Sequence, residues 1–391
     1  MTAKQVDKEL ADLQARGIKN ASIVTMYDGV YTINTGKRTE GGAWGMEILP
    51  VSNGNEINVL RIENIIPGKV KRLHTGCKVG SDPEFFFKRD GEVVPSTDVI
   101  ENEEDGVTRD GFQGELNPTA DYCREIAGRR IASAIVAAEK MAVKRGAHVS
   151  FQMSEIIDGK AWKNAPAEIK QFGCNPTTNV HEADFERPNG QRVKFRSAGG
   201  HIHLGLPKNL KSKYEDIVKV MDIVVGNTCV LIDRDPANAR RRKYYGRAGE
   251  YRVKPYGLEY RVPSNFWLKH YVLWSMVSGL ARNSISIVDE ELTKSLLDEF
   301  DMRKVRKAIN ENDYALALEN FEKYSKWLRD NTIVSNTGID CRNVDKFKKW
   351  ATSGNPYSKL RIVSDHSIVR HWTTRSRKWM RGFERFISSI K

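Results

Sequence analysis

Four short stretches of this chain carry polar, chemically capable residues two positions apart. They are Asp82 and Glu84 in "GSDPEFFF", Glu115 and Asn117 in "GELNP", His201 and His203 in "GGHIHLG", and Glu259 and Arg261 in "GLEYRVP". Residues at i and i+2 of a strand share a face. A sheet built from these stretches would therefore present carboxylates and imidazoles side by side. Singly, an acidic pair beside a proline is usually a turn or a solvated face, and a His-x-His pair is usually ordinary. Together they form an oxygen-rich set suited to magnesium or manganese bound beside phosphates. Zinc would be expected to recruit more histidine or cysteine. Covalent hydrolysis fits poorly, because no serine or cysteine is partnered with these histidines.

A second constellation is basic. The run "RDPANARRRKYYGRAGEYRVKPYGLEYR" spans residues 234 to 261 and holds Arg234, Arg240, Arg241, Arg242, Lys243, Arg247, Arg252, Lys254 and Arg261, against only Asp235, Glu250 and Glu259. Guanidinium forks match phosphate and carboxylate oxygens in pairs. The run Arg240 to Lys243 reads as a solvated basic loop or a nucleic-acid patch. Arg252 and Arg261, each in a Tyr-Arg dipeptide beside a strand-like run, read as site residues.

The elements that must position these side chains can be read from pattern. Alternating segments such as "ASIVTMYDGVYTINTG" and "NEINVLRIENI" make residues 1–71 a small β-rich addition opened by a short helix-like segment. Residues 72–290 hold every chemically suggestive motif, on strand-like runs "KVGSDPEFFFKRDGEVV", "GFQGELNP", "AHVSFQMSEI", "RVKFRSAGGHIHLGL" and "EYRVKPYGLEYRVP". Helices are expected between them. One should run from about Asp121 to Arg145, where Ile131, Ile135 and Ala138 repeat at helical spacing and Gly146 sits at the C-cap position. Others are expected at 211–233 and 266–286. Residues 291–391 read as charged amphipathic helices ending in a basic, Trp-containing tail. Antiparallel-looking strands with inserted helices, and no G-x-G-x-x-G or Walker loop, argue for an α+β architecture.

Composition narrows the setting. Lysine and arginine exceed aspartate and glutamate by 63 to 50, a net charge of +13, which implies anionic partners without choosing among them. The apolar stretches "VMDIVVGNTCVLI" and "YVLWSMVSGLA" are too short for a bilayer. The N-terminus lacks an apolar signal region, and Cys77, Cys123, Cys174, Cys229 and Cys341 have no C-x-x-C spacing. A cytoplasmic location is expected, with no membrane partner.

In order and type, the four strand motifs resemble the glutamine synthetase and glutamate-cysteine ligase superfamily. The resemblance is strongest to its phage-encoded amidoligase branch, the COOH.NH2 ligase-type 2 proteins. "GSDPEFF" looks like the opening Gly-x-Glu-x-Glu-Phe metal strand, with Asp82 and Pro83 as departures. "GELNPTADYC" looks like the Glu-x-Asn-Thr strand, "GGHIHLG" the His-x-His strand, and "GLEYRVPS" the terminal Glu-x-Arg strand. The resemblance covers about residues 72–290 and implies a curved antiparallel sheet funnel with ATP at one end, the acid substrate at the other and two or three Mg2+ (or Mn2+) between. By motif, Asp82, Glu84, Glu115, His201 and Glu259 would hold metal, while His203, Arg252 and Arg261 would address the ATP phosphates, with Arg247 behind them. Asn117, Arg196 and Asn175 are candidate contacts to the acid substrate. The implied activity is amide formation between a carboxylate and an amine through an acyl phosphate, in a host cytoplasm if the protein is phage-encoded.

Two rivals share parts of this reading. An inactive or non-ligase phage protein binding nucleic acid or another polyanion would draw on the tail "VRHWTTRSRKWMRGFERFISSIK". Trp379, Phe383, Phe386 and Ile390 there fall at i, i+4, i+7 and i+11, the stripe of a helix packing on a core, so nucleic acid is not favoured. A phosphotransferase on the same fold would share every metal and ATP residue. A pure binder needs no acidic residues among its basic ones, and this sequence keeps both.

Overall fold

The computed structural model describes residues 77–121, 124–157, 159–171, 178–182, 192–289, 291–335 and 360–375, with positions 348, 352 and 357 and five backbone strands between 22 and 57. Those five strands are β1 (Ser22–Tyr27), β2 (Val30–Arg38), β3 (Trp44–Leu49), β4 (Val51–Ser52) and β5 (Glu56–Ile57). β1, β2 and β3 form an antiparallel sheet and β4 pairs with β5, as the alternation of this segment predicts. The short N-terminal helix-like segment and the residues Trp379 to Ile390 lie outside the described residues.

Two five-stranded antiparallel sheets carry the motifs. β6 (Lys78–Gly80) leads into β7 (Glu84–Arg89) and β8 (Glu92–Val94), followed by β9 (Val107–Asp110) and β10 (Gln113–Leu116). β11 (His148–Ser150) completes the first sheet, ordered β11-β7-β10-β9 with β8 on β7. β12 (Ser154–Ile156) pairs later with β14 (Phe195–Ser197). The second sheet is ordered β13-β16-β17-β15-β6, from β13 (Thr178–Asn179), β15 (Ile202–Gly205), β16 (Glu250–Lys254) and β17 (Gly257–Tyr260). Pro83 lies where the chain leaves one sheet for the other. It has no N–H for a ladder, and its carbonyl accepts from Leu116 N at 2.9 Å while Glu84 N donates to Gly199 O at 2.8 Å.

The helices cover the inner faces. α1 (Arg124–Lys144) buries Ile131, Ile135 and Ala138. It ends at Gly146, whose φ of +64° lets Ala147 N reach back to Ala142 O at 2.9 Å. After α2 (Gly159–Asn164), the expected helix at 211–233 is broken into α3 (Tyr214–Met221), a π-helical turn (Asp222–Gly226) and α4 (Asn227–Val230). The π-helical turn opens on buried Asp222, whose carboxylate accepts from Tyr260 Oη at 2.7 Å and Gly249 N at 3.1 Å and meets His181 Nε2 at 2.8 Å. α5 (Ala237–Arg241) precedes β16. The segment expected at 266–286 is a 3-10 turn (Asn265–Lys269) followed by α6 (Tyr271–Asp289), which is apolar nearly all round. α7 (Thr293–Asp298), α8 (Met302–Asn310) and α9 (Tyr314–Ser335) follow.

One hydrophobic core runs through Phe85, Phe87, Ile131, Leu204, Tyr260, Trp267, Trp274, Val305, Phe321 and Trp372. Each such side chain contributes on the order of 1.5–3 kcal/mol by leaving water. The core-facing strand residues alternate with those that carry the polar motifs. Among the described residues, no helix is long and apolar enough to cross a membrane.

Candidate active site

In the first sheet Glu115 lies directly opposite Glu84, and Gln113 lies opposite Asp110 on the other side. Glu84, Glu115, Gln113 and Asp110 therefore share a face with Phe86, which packs in a small second cluster with Val93 and Phe112, while Phe85, Gly114 and Leu116 turn to the main core. In the second sheet, His203 and Arg252 flank Glu259 on the two neighbouring strands. This cross-strand row is what the His-x-His and Glu-x-Arg spacings foretell.

Two donor sets result. Ligand atoms of Asp82, His201 and Glu259 lie within 4.8 Å of one another, and so do those of Glu84, Asp110 and Glu115. Asp82 and Glu84, expected on one strand face, serve different sets, because Asp82 sits in the crossover beside Pro83 rather than in β7. His201 Nδ1 is 2.9 Å from Asp82 Oδ1 and 3.6 Å from Glu259 Oε1, and His203 Nε2 is 3.0 Å from Asp82 Oδ2. Glu259 is fully buried and ringed by Arg261 Nη1 at 3.1 Å, Lys254 Nζ at 3.2 Å and Arg252 Nη1 at 3.4 Å. In the other set, Glu84 Oε2 accepts from Gly199 N at 2.7 Å and Gln113 Nε2 at 2.8 Å, and Glu115 accepts from Asn117 Nδ2 at 2.7 Å.

The electrostatics of the two sets differ in sign. Burial alone would raise Asp82, but His203 and His201 beside it hold its carboxyl well below the usual range. Burial would lower His203, yet the charge of Asp82 and the bond to it raise the imidazole. In the all-carboxylate set the lowering by the Gly199 N–H and Arg241 on Glu84, by Arg196 and Arg252 on Asp110, and by Asn117 on Glu115 does not offset burial and mutual repulsion. Burial, then Asp110, push Glu84 up to about 8, and burial, then Asp82, push Asp110 up to about 6. Burial, then Asp82, Glu84 and Asp110, push Glu115 up to about 9.

Both sets fit a hard divalent cation on the atoms themselves. Glu84, Asp110 and Glu115, raised by burial first and by one another after it, offer three carboxylate oxygens of the kind that hard cations take. At the other set, neither carboxylate oxygen of buried Glu259 accepts a hydrogen bond of sound geometry, despite the three cations around it. The donors there are two carboxylates and one imidazole, which suit Mg2+ or Mn2+ as well as softer ions.

Tyr245 joins the sets. Its hydroxyl is 2.7 Å from His201 Nε2 and 3.4 Å from Glu84 Oε1. Its ring lies under the guanidinium of Arg241, at 4.6 Å, and of Arg261, at 5.4 Å. Gly199 is obligatory beneath it, since any Cβ there would overlap the hydroxyl.

Other candidates lie differently. Arg247 Nη2 pairs with Glu182 at 3.0 Å, a carboxylate it shares with Arg306. Arg196 is buried, donates to the carbonyls of Val193, Phe195 and Lys170, and lies over the Trp162 ring at 5.0 Å. Asn117 braces Glu115 and Thr108. Asn175 lies outside the described residues. The basic run is solvated only at Arg240 and Lys243; Arg241 and Arg242 are buried and donate to the carbonyls of Val262 and Pro263 that follow β17. Orphaned carbonyls where a strand ends need donors, and these arginines supply them.

Sequence pattern missed Asp110, Gln113, Tyr245 and Tyr256, whose hydroxyl is 3.1 Å from His203 Nδ1. Asp110 stands in "TRDG", which reads as a turn, and Tyr245 reaches the site from a loop whose register no periodicity encodes. Lys254 carried a signal, since it lies at i+2 from Arg252.

Residues 178–333 match the family described as Phage phiEco32-like COOH.NH2 ligase-type 2. The resemblance read from the motifs is shown for that segment, which includes His201, His203, Arg247, Arg252, Glu259 and Arg261 and ends short of Asp82, Glu84 and Glu115. No curated protein matches. Among solved structures, a bifunctional glutathione synthetase from Pasteurella multocida is similar at 12% identity with a TM-score of 0.44. That match covers 78% of this chain and 52% of the synthetase, so the chain spans about half its length.

Proposed function

We propose that this chain is an ATP-dependent carboxylate-amine ligase of the COOH.NH2 type, working on a funnel-like pair of antiparallel sheets of glutamine synthetase kind. One observation carries the reading. Two cation-ready donor sets, joined by Tyr245, lie beside Arg252, Lys254 and Arg261 on adjacent strands. The family matched by residues 178–333 supports it. Asp82, His201 and Glu259 form one metal set and Glu84, Glu115 and the newly found Asp110 the other. Mg2+ or Mn2+ bound there would neutralise charge between a carboxylate and the phosphates of ATP.

The chain's own residues then have distinct tasks. A carboxylate is a poor electrophile. Its oxygen attacks the γ-phosphorus of ATP, ADP leaves, and the acyl phosphate loses phosphate when an amine attacks the carbonyl carbon and gives up a proton. Arg252 and Arg261 stabilise negative charge spreading over the transferring phosphoryl group, a role in which one lost donor costs on the order of 3 kcal/mol of barrier. Lys254 adds a third positive charge on the same face, and His203, held by Asp82, orients toward the nucleotide. Arg247, tied to Glu182, acts at the margin. Residues 72–290 form the catalytic core in this reading.

The test has two readouts. Glu259→Gln and His201→Gln should abolish Mg2+-dependent ATP binding in calorimetry while circular dichroism stays unchanged; undiminished binding in both removes the assignment. Incubation with ATP, Mg2+ and mixed amino acids, polyamines and cell-wall peptides, read by mass spectrometry, should give ADP, phosphate and a new amide. A phosphorylated product with no amide would instead identify a phosphotransferase.

A further inference from the structure

The ligase chemistry gives no task to the basic surface around β14. We propose that this surface docks an acidic polypeptide, and that the carboxylate joined to an amine is a side chain of that polypeptide rather than a free acid. The substrate half rests on the ligase reading above; the docking half stands without it.

β12 and β14 form a two-stranded ribbon, and cations gather round it from three segments. α2 supplies Lys160 and Lys163, the chain leading into β14 supplies Arg192 and Lys194, and the end of α5 with the turn after it supplies Arg240 and Lys243, all of them exposed. The segments touch. Ile157 N donates to Lys194 O at 2.9 Å, the Arg196 guanidinium donates to the carbonyls of Val193 and Lys170, and the Arg240 guanidinium lies over the Phe195 ring at 4.5 Å. Phe195 and Arg196 point to opposite faces of the ribbon, so the cations wrap it rather than cover one side. Among the described residues, Lys160, Lys163, Arg192, Arg240 and Lys243 form no ion pair. Of the described carboxylates on these segments, Glu155 is taken by Lys88 Nζ at 2.5 Å and Glu168 alone is exposed. Like charges crowded in this way repel one another, and the repulsion is relieved when a polyanion lies across them.

The surface also lies next to the candidate site. From Lys194 the strand runs to Gly199, whose N–H donates to Glu84 Oε2 at 2.7 Å. Those five residues of extended chain span about 17 Å at most. On the other side Arg240 adjoins Arg241, whose guanidinium lies over Tyr245, the residue that reaches His201 and Glu84. A bound polypeptide in extended form rises at the same rate, so about five of its residues cover the distance from the ribbon to Glu84.

Chemistry chooses among polyanions. The proposed reaction consumes a carboxylate, and nucleic acid has none. Single-stranded nucleic acid is also held by rings open to base stacking. Here Trp162 is covered by Phe112, stacked at 5.9 Å, and by Arg196 and Lys170 at 5.0 and 5.6 Å, while Tyr244 lies against Phe195 at 5.7 Å. Glutamate and aspartate side chains need only the charge. In the reaction such a side-chain carboxylate takes the γ-phosphoryl group of ATP and ADP leaves. The amine then displaces phosphate, giving up a proton to water as the C–N bond forms.

Fluorescence anisotropy of labelled poly-L-glutamate with the full chain tests the surface. Lys160→Glu, Arg192→Glu and Lys243→Glu together should weaken binding at least about tenfold, three exposed ion pairs being worth up to about fivefold each. Lys144→Glu, Lys307→Glu and Lys326→Glu together, at exposed positions on α1, α8 and α9, change the net charge equally and should weaken binding far less. Equal loss in the two triple variants, or no binding by wild type, overturns the docking surface. So does tighter binding of a single-stranded oligonucleotide of matched charge, which reassigns the ribbon to nucleic acid. If the ribbon variant does not fold, its three substitutions are measured singly, each expected to weaken binding by up to about fivefold. Mass spectrometry after incubation with ATP, Mg2+ and mixed amines then reads the substrate. Wild type should form amides on poly-L-glutamate, and the ribbon variant should lose that product while still binding ATP. Amides on free amino acids and none on poly-L-glutamate overturn the substrate class and keep the ligase. Ribbon-dependent binding with no amide on any acid removes the ligase reading and leaves the docking surface standing.

Discussion

Glu84→Gln should make the cation-free protein more stable while removing part of its cation response. Glu84 is buried, and burial together with Asp110 raises its carboxyl from 4.5 to about 8. A raised folded value gives stability that is complete below the unfolded value and is lost as pH climbs through the folded one. Between about pH 5 and 8 the wild type therefore loses stability through this group. At about pH 7.5 the displacement spans roughly three pH steps, each worth about 1.4 kcal/mol, which gives about 4 kcal/mol. Part of that repulsion belongs to Asp110, and glutamine retains one acceptor for Gly199 N, so the expected gain is about 2–4 kcal/mol. In a thermal melt with chelator this is a rise of about 4–10 °C. At about pH 5 the same linkage leaves under ~1 kcal/mol, and the two proteins should nearly coincide. Added Mg2+ or Mn2+ should raise the wild-type midpoint and leave Glu84→Gln much less affected. A variant that melts below wild type at about pH 7.5 in chelator would refute the electrostatic account.

Other consequences follow from the same geometry. Gly200→Ala should destabilise the fold by at least about 1–3 kcal/mol in urea unfolding, because a Cβ there would press on the Ser264 carbonyl and come 2.5 Å from Trp267 Nε1. The rings of His270 and His371 stack 3.7 Å apart; burial, then His371 and Arg375, push His270 down to about 3, and burial, then Arg375, push His371 down to about 4. Folded values below the ordinary one mean that their contribution is present above about pH 6.5 and lost as pH falls through about 4 and 3. His371→Gln should accordingly move the acid-unfolding midpoint to lower pH, read by tryptophan fluorescence; an unmoved midpoint would remove this pair from the account.

Much of this layout is legible in the sequence because strand alternation is a strict code. His201, His203, Glu259 and Arg261 sit at spacings of two, and antiparallel pairing then puts His203 beside Glu259 without further information. The helix over Arg124–Lys144 is legible for the same reason, from Ile131, Ile135 and Ala138. What is not legible depends on where the chain changes direction. Pro83 sends Asp82 to the second sheet and Glu84 to the first, so one motif feeds two sets. Asp110 joins through the register of β9 on β10, and Tyr245 through a loop held by Arg241. The buried arginines misled for a related reason. A run of four basic residues looks solvated until the carbonyls of Val262 and Pro263 are seen to need donors.

The two sets also explain each other. A buried carboxylate normally finds a cation or a donor, and Glu259 has Arg252, Lys254 and Arg261 within 3.4 Å. Glu84 and Glu115 have only neutral donors in direct contact, Gly199 N, Gln113 and Asn117, and crowd together with Asp110. Had the chain been shaped for stability alone, one of the arginines across the Glu259 row would serve better among those three carboxylates. Keeping the positive side chains on β16 and just after β17 and the crowded negative ones on β7, β9 and β10 separates charges that would otherwise cancel. That separation costs stability and puts basic side chains of the kind that pair with phosphate oxygens in one row and carboxylates of the kind that hold a metal ion in the other.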